Sequence, residues 1–182
     1  MKRRSLVTQS AVLFIALLTG LPLVAQRSVS ERGQERLIRE VRHELVMLPY
    51  YSVFDNLEYR VEGDVVTLQG QVTRPTLRSD AERAVMRIEG VTNVVNTIEV
   101  LPLSPADDQI RRAVYRALFA EASTLFRYGM GAVPPIHIIV KNGRVTLVGV
   151  VYNEADKNTA TLLASRASGT FSLTNSLRIG KG

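Results

Sequence analysis

The sequence predicts an α+β fold: two tandem αββαβ modules, each a three-stranded sheet with two helices packed on one face. Three observations predict it. First, one segment occurs twice. Val65-Val66-Thr67-Leu68-Gln69-Gly70-Gln71-Val72 and Arg144-Val145-Thr146-Leu147-Val148-Gly149-Val150-Val151 align at an offset of 79 residues. The alignment carries residues 57–100 onto 136–179 without a gap, with identities at Val61/Val140, Val66/Val145, Leu68/Leu147, Gly70/Gly149, Ala81/Ala160, Gly90/Gly169 and Asn96/Asn175 among others. Second, apolar residues alternate along some stretches and recur every three or four residues along others. Third, glycine, proline and capping residues punctuate the chain between those stretches.

In the first copy, Ile38, Val41, Leu45 and Leu48 recur at helical spacing, with Arg36, Arg39, Glu40, Arg42 and Glu44 on the other side. Leu57, Tyr59 and Val61 alternate, as do Val66, Leu68, Gly70 and Val72, with Glu62-Gly63-Asp64 as the turn between two strands. Pro75 opens the second helix, where its missing N–H costs little. Leu77, Ala81, Ala84, Val85 and Ile88 form the stripe of that helix, and Gly90 ends it. Val94, Ile98 and Val100 make the last strand.

After the linker Leu101-Pro102-Leu103 the order repeats. Ser104-Pro105-Ala106-Asp107 reads as a helix cap with proline at the first helical position. Ile110, Ala113, Val114, Ala117 and Leu118 form the stripe. Asn142-Gly143 is a strong hairpin signal, and Asn153-Glu154-Ala155-Asp156 starts the last helix by the same capping logic. That helix is rich in small residues (Ala160, Ala164, Ser165, Ala167, Ser168), which implies looser packing or dependence on the other copy. The module boundaries fall at 34–101 and 105–180. A unit of about 70 residues is marginal for a single core, so mutual stabilisation is expected.

The chain has 182 residues, 46% hydrophobic and 22% charged, and no cysteine. Disulfides, thiol chemistry and a lipidated cysteine anchor are thereby excluded. Residues 1–25 read as a signal peptide: Lys2-Arg3-Arg4, an apolar run over 11–18, the breakers Gly20 and Pro22, and a cleavage site after Ala25. An uncleaved membrane anchor is the alternative, since Leu23 is not the small residue that cleavage favours. Removing residues 1–25 lowers the net charge from +6 to +3, a weak basis for binding nucleic acid.

No catalytic residue, metal or cofactor is expected. The two histidines, His43 and His137, fall short of a zinc ligand set. No nucleophile elbow, phosphate loop or dinucleotide fingerprint occurs, and Gly129-Met130-Gly131 is too short to count. Asp107 is explained by capping. Asn96 and Asn175, at equivalent inward-facing strand positions, read as side chains that tie down a neighbouring segment.

The ordered set of an amphipathic helix, the hairpin strand Val66-Thr67-Leu68-Gln69-Gly70-Gln71-Val72, a helix and Gly90-Val91-Thr92-Asn93-Val94-Val95-Asn96-Thr97-Ile98-Glu99-Val100 resembles the BON domain. The second copy matches with departures, such as Thr170 where the pattern has valine. The resemblance spans roughly residues 34–180. It implies a non-enzymatic, exported protein of the periplasm or outer envelope. It also implies phospholipid binding and support of the envelope under osmotic stress, or an accessory role in an envelope assembly. No binding residue is carried over, because the shared positions are structural.

The residues themselves mark two places for binding. Compared with the first copy, the second holds seven extra residues between its first helix and first strand. Phe126, Arg127, Tyr128 and Met130 there combine aromatics with a cation, as membrane interfaces do; the alternative is that Phe126 and Met130 cap the edge of the core. Ile139, Val148 and Val150 make the open sheet face of the second copy apolar, where the first presents Glu58, Arg60, Gln69 and Gln71. Such a patch implies a partner, the other module included. The expected partner is a phospholipid surface, or alternatively an envelope protein. The oligomeric state and the orientation of the modules stay open.

Overall fold

The computed structural model describes residues 23–180. The targeting segment therefore lies outside them except for residues 23–25, which open the first helix. The element order is α1 (Leu23–Val46), β1 (Asn56–Glu62), β2 (Val65–Val72), α2 (Pro75–Met86), β3 (Asn93–Asn96), β4 (Glu99–Val100), α3 (Pro105–Phe119), β5 (Ile136–Lys141), β6 (Arg144–Val151), α4 (Glu154–Ser165) and β7 (Ser172–Ile179), with a 3-10 turn at Phe126–Gly129. Two αββαβ modules are thus present. Among the described residues no helix is long and apolar enough to cross a membrane.

Each sheet has the hairpin strand in the middle. β1 and β2 are antiparallel, and β3 and β4 both run parallel to β2. They are one strand interrupted at Thr97 and Ile98, where the sequence suggested continuity. In the second sheet, β5 pairs antiparallel and β7 parallel with β6. Lys141 and Arg144 face each other across Asn142-Gly143, whose φ angles of 52° and 74° are the two positive values a tight hairpin turn demands.

The glycine shared by the two hairpins has a steric cause. Gly70 has φ 114° and Gly149 φ 120°. A Cβ on Gly149 would stand 2.0 Å from the Pro135 carbonyl oxygen, and one on Gly70 2.1 Å from that of Asn56. The neighbouring chain crosses where a side chain would be.

The helices cover one face of each sheet. Leu37, Val41 and Leu45 form the buried row of α1 and pack with Val66, Leu68, Leu77 and Ala81. The row is displaced from the expected stripe: Ile38 is exposed and Leu48 lies beyond the helix. Spacing alone did not separate adjacent Leu37 and Ile38. In the second module Ile110, Val114 and Leu118 meet Ile138, Val145, Leu147 and Leu177. Ala160 and Ala164 are fully buried on the packed face of α4, whereas Ser165 is exposed.

Asp107 reaches further than a cap. Ser104 Oγ accepts from the Asp107 amide, as expected of an N-cap. The Asp107 carboxylate accepts from the amides of Asn142 and Gly143, at 2.9 and 2.8 Å. It therefore ties the start of α3 to the hairpin turn. Asn96 and Asn175 also bridge elements. Asn175 Nδ2 donates to the Lys157 carbonyl and to Thr161 Oγ1 on α4, while its Oδ1 accepts from the Leu177 amide. Asn96 repeats this toward α2, donating to the Arg78 carbonyl and Glu82 and accepting from the Ile98 amide.

Candidate functional site

The inserted segment folds against its own module. Leu125 and Tyr128 are buried, and the Tyr128 hydroxyl donates to Asp156 Oδ2 at 2.7 Å. That hydroxyl in turn accepts from the Tyr152 amide at 2.8 Å. Arg127 pairs with the same carboxylate, and its guanidinium lies 5.0 and 5.8 Å from the ring centroids of Tyr128 and Tyr152. Asp156 also accepts from Asn153, the N-cap of α4. Burial, then the bond to Asp156, raises the Tyr128 hydroxyl above its ordinary value, so it remains a donor. Tyr128 is thus buried within its own module, while Arg127 stays exposed and paired with Asp156. Phe126 and Met130 do face solvent, at 39% and 73% exposure, with Tyr152 exposed beside the guanidinium.

The open face of the second sheet is shared between solvent and the first module. Ile139 is buried, so it is unavailable to an external partner. Its neighbours on that face contact the first module. His137 stacks on Tyr51, with ring centroids 5.6 Å apart, and Lys141 pairs with Glu99 at 2.5 Å. Val148 is half-buried and Val150 exposed.

The loop between α1 and β1 reaches the second module at His137 and Ile138, and Asp55 holds it. Asp55 is fully buried; its carboxylate accepts from the amide and hydroxyl of both Ser52 and Thr73. Val53 is thereby presented to the core of the second module, and its carbonyl accepts from the Ile138 amide at 2.8 Å. Phe54 packs beside it, edge-on to Tyr115. Burial pushes the Tyr51 hydroxyl up to about 12. Burial also lowers the His137 imidazole below its ordinary value, opposed by the carbonyls of Asp55 and Ser52 and by the charge of Asp55. His137 Nδ1 is buried without a hydrogen-bond partner. A cleft of about 500 Å³ remains between the modules, lined by Tyr51, Leu57, Tyr59, Pro134, His137 and Val150 among others.

Sequence reasoning missed Val53 and Asp55, and read Asp156 only as part of a helix cap. Asp55 and Val53 sit in a loop with no periodicity, and their partners lie far along the chain. His43 is exposed on α1, and no group of His, Asp or Glu among the described residues is arranged to hold a metal ion.

A family profile described as the BON domain matches residues 35–102 and 106–181. No curated protein matches the chain. Two solved structures of CdsD, a structural protein of the type III secretion system of Chlamydia trachomatis, are similar. One is 13% identical over 81% of this chain and 93% of that chain, with a TM-score of 0.32. The other, of the C-terminal domain, is 12% identical over 79% and 97%, with a TM-score of 0.31.

Proposed function

We propose, since this chain belongs to the BON domain family, that it is a non-enzymatic binding protein of the cell envelope that contacts phospholipid and supports envelope integrity under stress. The family is linked to membrane and envelope binding. The basic and apolar pattern of residues 1–25 supports export to the periplasm. The observation that carries the reading is the rim of the second module. There Phe126, Met130 and Tyr152 are exposed, Tyr152 beside the Arg127 guanidinium, leaving apolar and aromatic surface that lipid would cover.

Flotation of the purified chain with vesicles, with and without anionic lipid, tests it. Binding is expected, weakened by Phe126→Ser with Met130→Ser. Failure to float with anionic vesicles at low salt defeats the lipid reading.

A second reading, an interaction module that binds an envelope protein without touching lipid, is favoured by a different observation. Val148 and Val150 leave partly exposed apolar surface on the open face of the second sheet. Under that reading Val150→Asp disrupts a protein complex and spares vesicle binding.

A further inference from the structure

Beside the linker lies a second cleft, of about 310 Å³, bounded by the start of α2, the linker residues and the early turns of α3. Its charge is unbalanced. Arg74, Arg111 and Arg112 line it, with Asp108 as the one carboxylate. Asp108 is already engaged, accepting from Arg111 Nη1. Arg111 is 4% exposed; its Nη2 donates to the Val140 carbonyl at 2.7 Å, and its buried Nε has no partner. Arg74 and Arg112 are exposed, and neither forms an ion pair among the described residues. The Arg74 guanidinium rests 4.8 Å from the Tyr50 ring centroid, which holds it in place without neutralising it.

Three guanidiniums and one committed carboxylate leave a net positive cleft. Like charges gathered this way repel until an anion joins them. Guanidinium forks match the spread oxygens of a phosphate, and buried Arg111 forms the floor beside the two exposed arginines. The rim points to the source of the phosphate. Leu103 is 95% exposed next to these cations. An apolar side chain beside arginines suits the boundary between headgroups and acyl chains better than it suits water.

We propose that this linker cleft is a phosphate-binding site, in which Arg74 and Arg112 grip the phosphodiester of an anionic lipid headgroup while Leu103 enters the lipid. The choice of lipid as source rests on the function proposed above; the phosphate site rests on the cleft alone.

The test compares the intact chain with Arg74→Gln/Arg112→Gln. A control, Arg144→Gln/Arg166→Gln, removes the same charge from exposed positions outside the cleft. Arg111 is left in place because it is buried. Two probes are used: vesicles of phosphatidylcholine with phosphatidylglycerol, in flotation, and inorganic phosphate, in calorimetry at matched ionic strength. The cleft double variant is expected to lose about tenfold in vesicle affinity, with the control changed far less and the phosphate heat abolished only in the cleft variant. Equal losses in both double variants overturn the site, because bulk charge would explain them. Vesicle binding that survives the cleft variant overturns the site and leaves the lipid reading standing. Phosphate binding at the cleft without vesicle binding sustains the site and overturns lipid as its source. Binding of neither probe by the intact chain overturns both.

Discussion

The Val53 carbonyl accepts a hydrogen bond from the Ile138 amide at 2.8 Å, and the Val53 side chain is buried in the core of the module to which Ile138 belongs. One residue of the first module therefore completes the second and pairs with its edge strand. Val53→Ala is expected to cost about 2 kcal/mol, the range for truncating a buried aliphatic side chain. Val46→Ala, at an exposed site on the preceding helix, is expected to change stability little. Urea unfolding checks both. The two modules should melt in one transition, and a chain beginning at Ser104 should be markedly less stable than the second module within the whole protein.

Asp107 supplies a second long-range tie. Its carboxylate satisfies the Asn142 and Gly143 amides of the hairpin turn. Asp107→Ala is expected to lower stability by about 2–3 kcal/mol, because two turn amides lose a charged acceptor. Asp107→Asn keeps one acceptor oxygen and should fall between. Faster hydrogen exchange at Asn142 and Gly143, ahead of the rest of β5 and β6, would identify the turn as the part released.

Gly149→Ala is expected to destabilise by about 3 kcal/mol or more, since both the backbone angle and the Pro135 carbonyl oppose a side chain. Gly63→Ala serves as the comparison. It carries only the strain of its φ of 64°, with open space where the Cβ would lie. A cost at Gly149 no larger than that at Gly63 would show that the chain crossing yields easily.

Acid should weaken the contact between the modules. The His137 imidazole is held below its ordinary value, so the unfolded chain takes up its proton first as pH falls. The stabilising contribution is therefore complete above about pH 6.5 and declines below it, until the folded form is protonated as well. Asp55 and Glu58 face the ring region with negative charge, Arg42 and Arg178 with positive, and burial dominates. His137→Phe keeps an aromatic ring against Tyr51 and removes the proton. Unfolding measured at pH 7.5 and pH 5 should show a smaller loss in that variant than in the original chain.

Much of this architecture was legible because its signals are local. The hairpins follow from period-two alternation and from Asn142-Gly143, and the helix starts from Ser104 and Asn153, whose side chains do cap. The site was less legible. Tyr128 and Arg127 resemble a membrane-facing pair in sequence, yet Asp156, 28 and 29 residues further on, draws both onto the module. Ile139 resembles half of an exposed patch because nothing in its own strand reveals that it is buried. Long-range pairing of this kind leaves no periodic trace. Arg74 and Arg111 likewise meet through the packing of two modules that the linker alone does not orient.

The paired asparagines have a consequence for the outer edges of the two sheets. The Thr97 amide donates back to Leu68, so the next amide, that of Ile98, points away from the sheet. The Asn96 side chain takes it, and Asn175 does the same for Leu177. Each sheet thus spends a side chain on a donor that a neighbouring molecule would need to extend it. Each outer edge is thereby blunted at that position against pairing with a further strand.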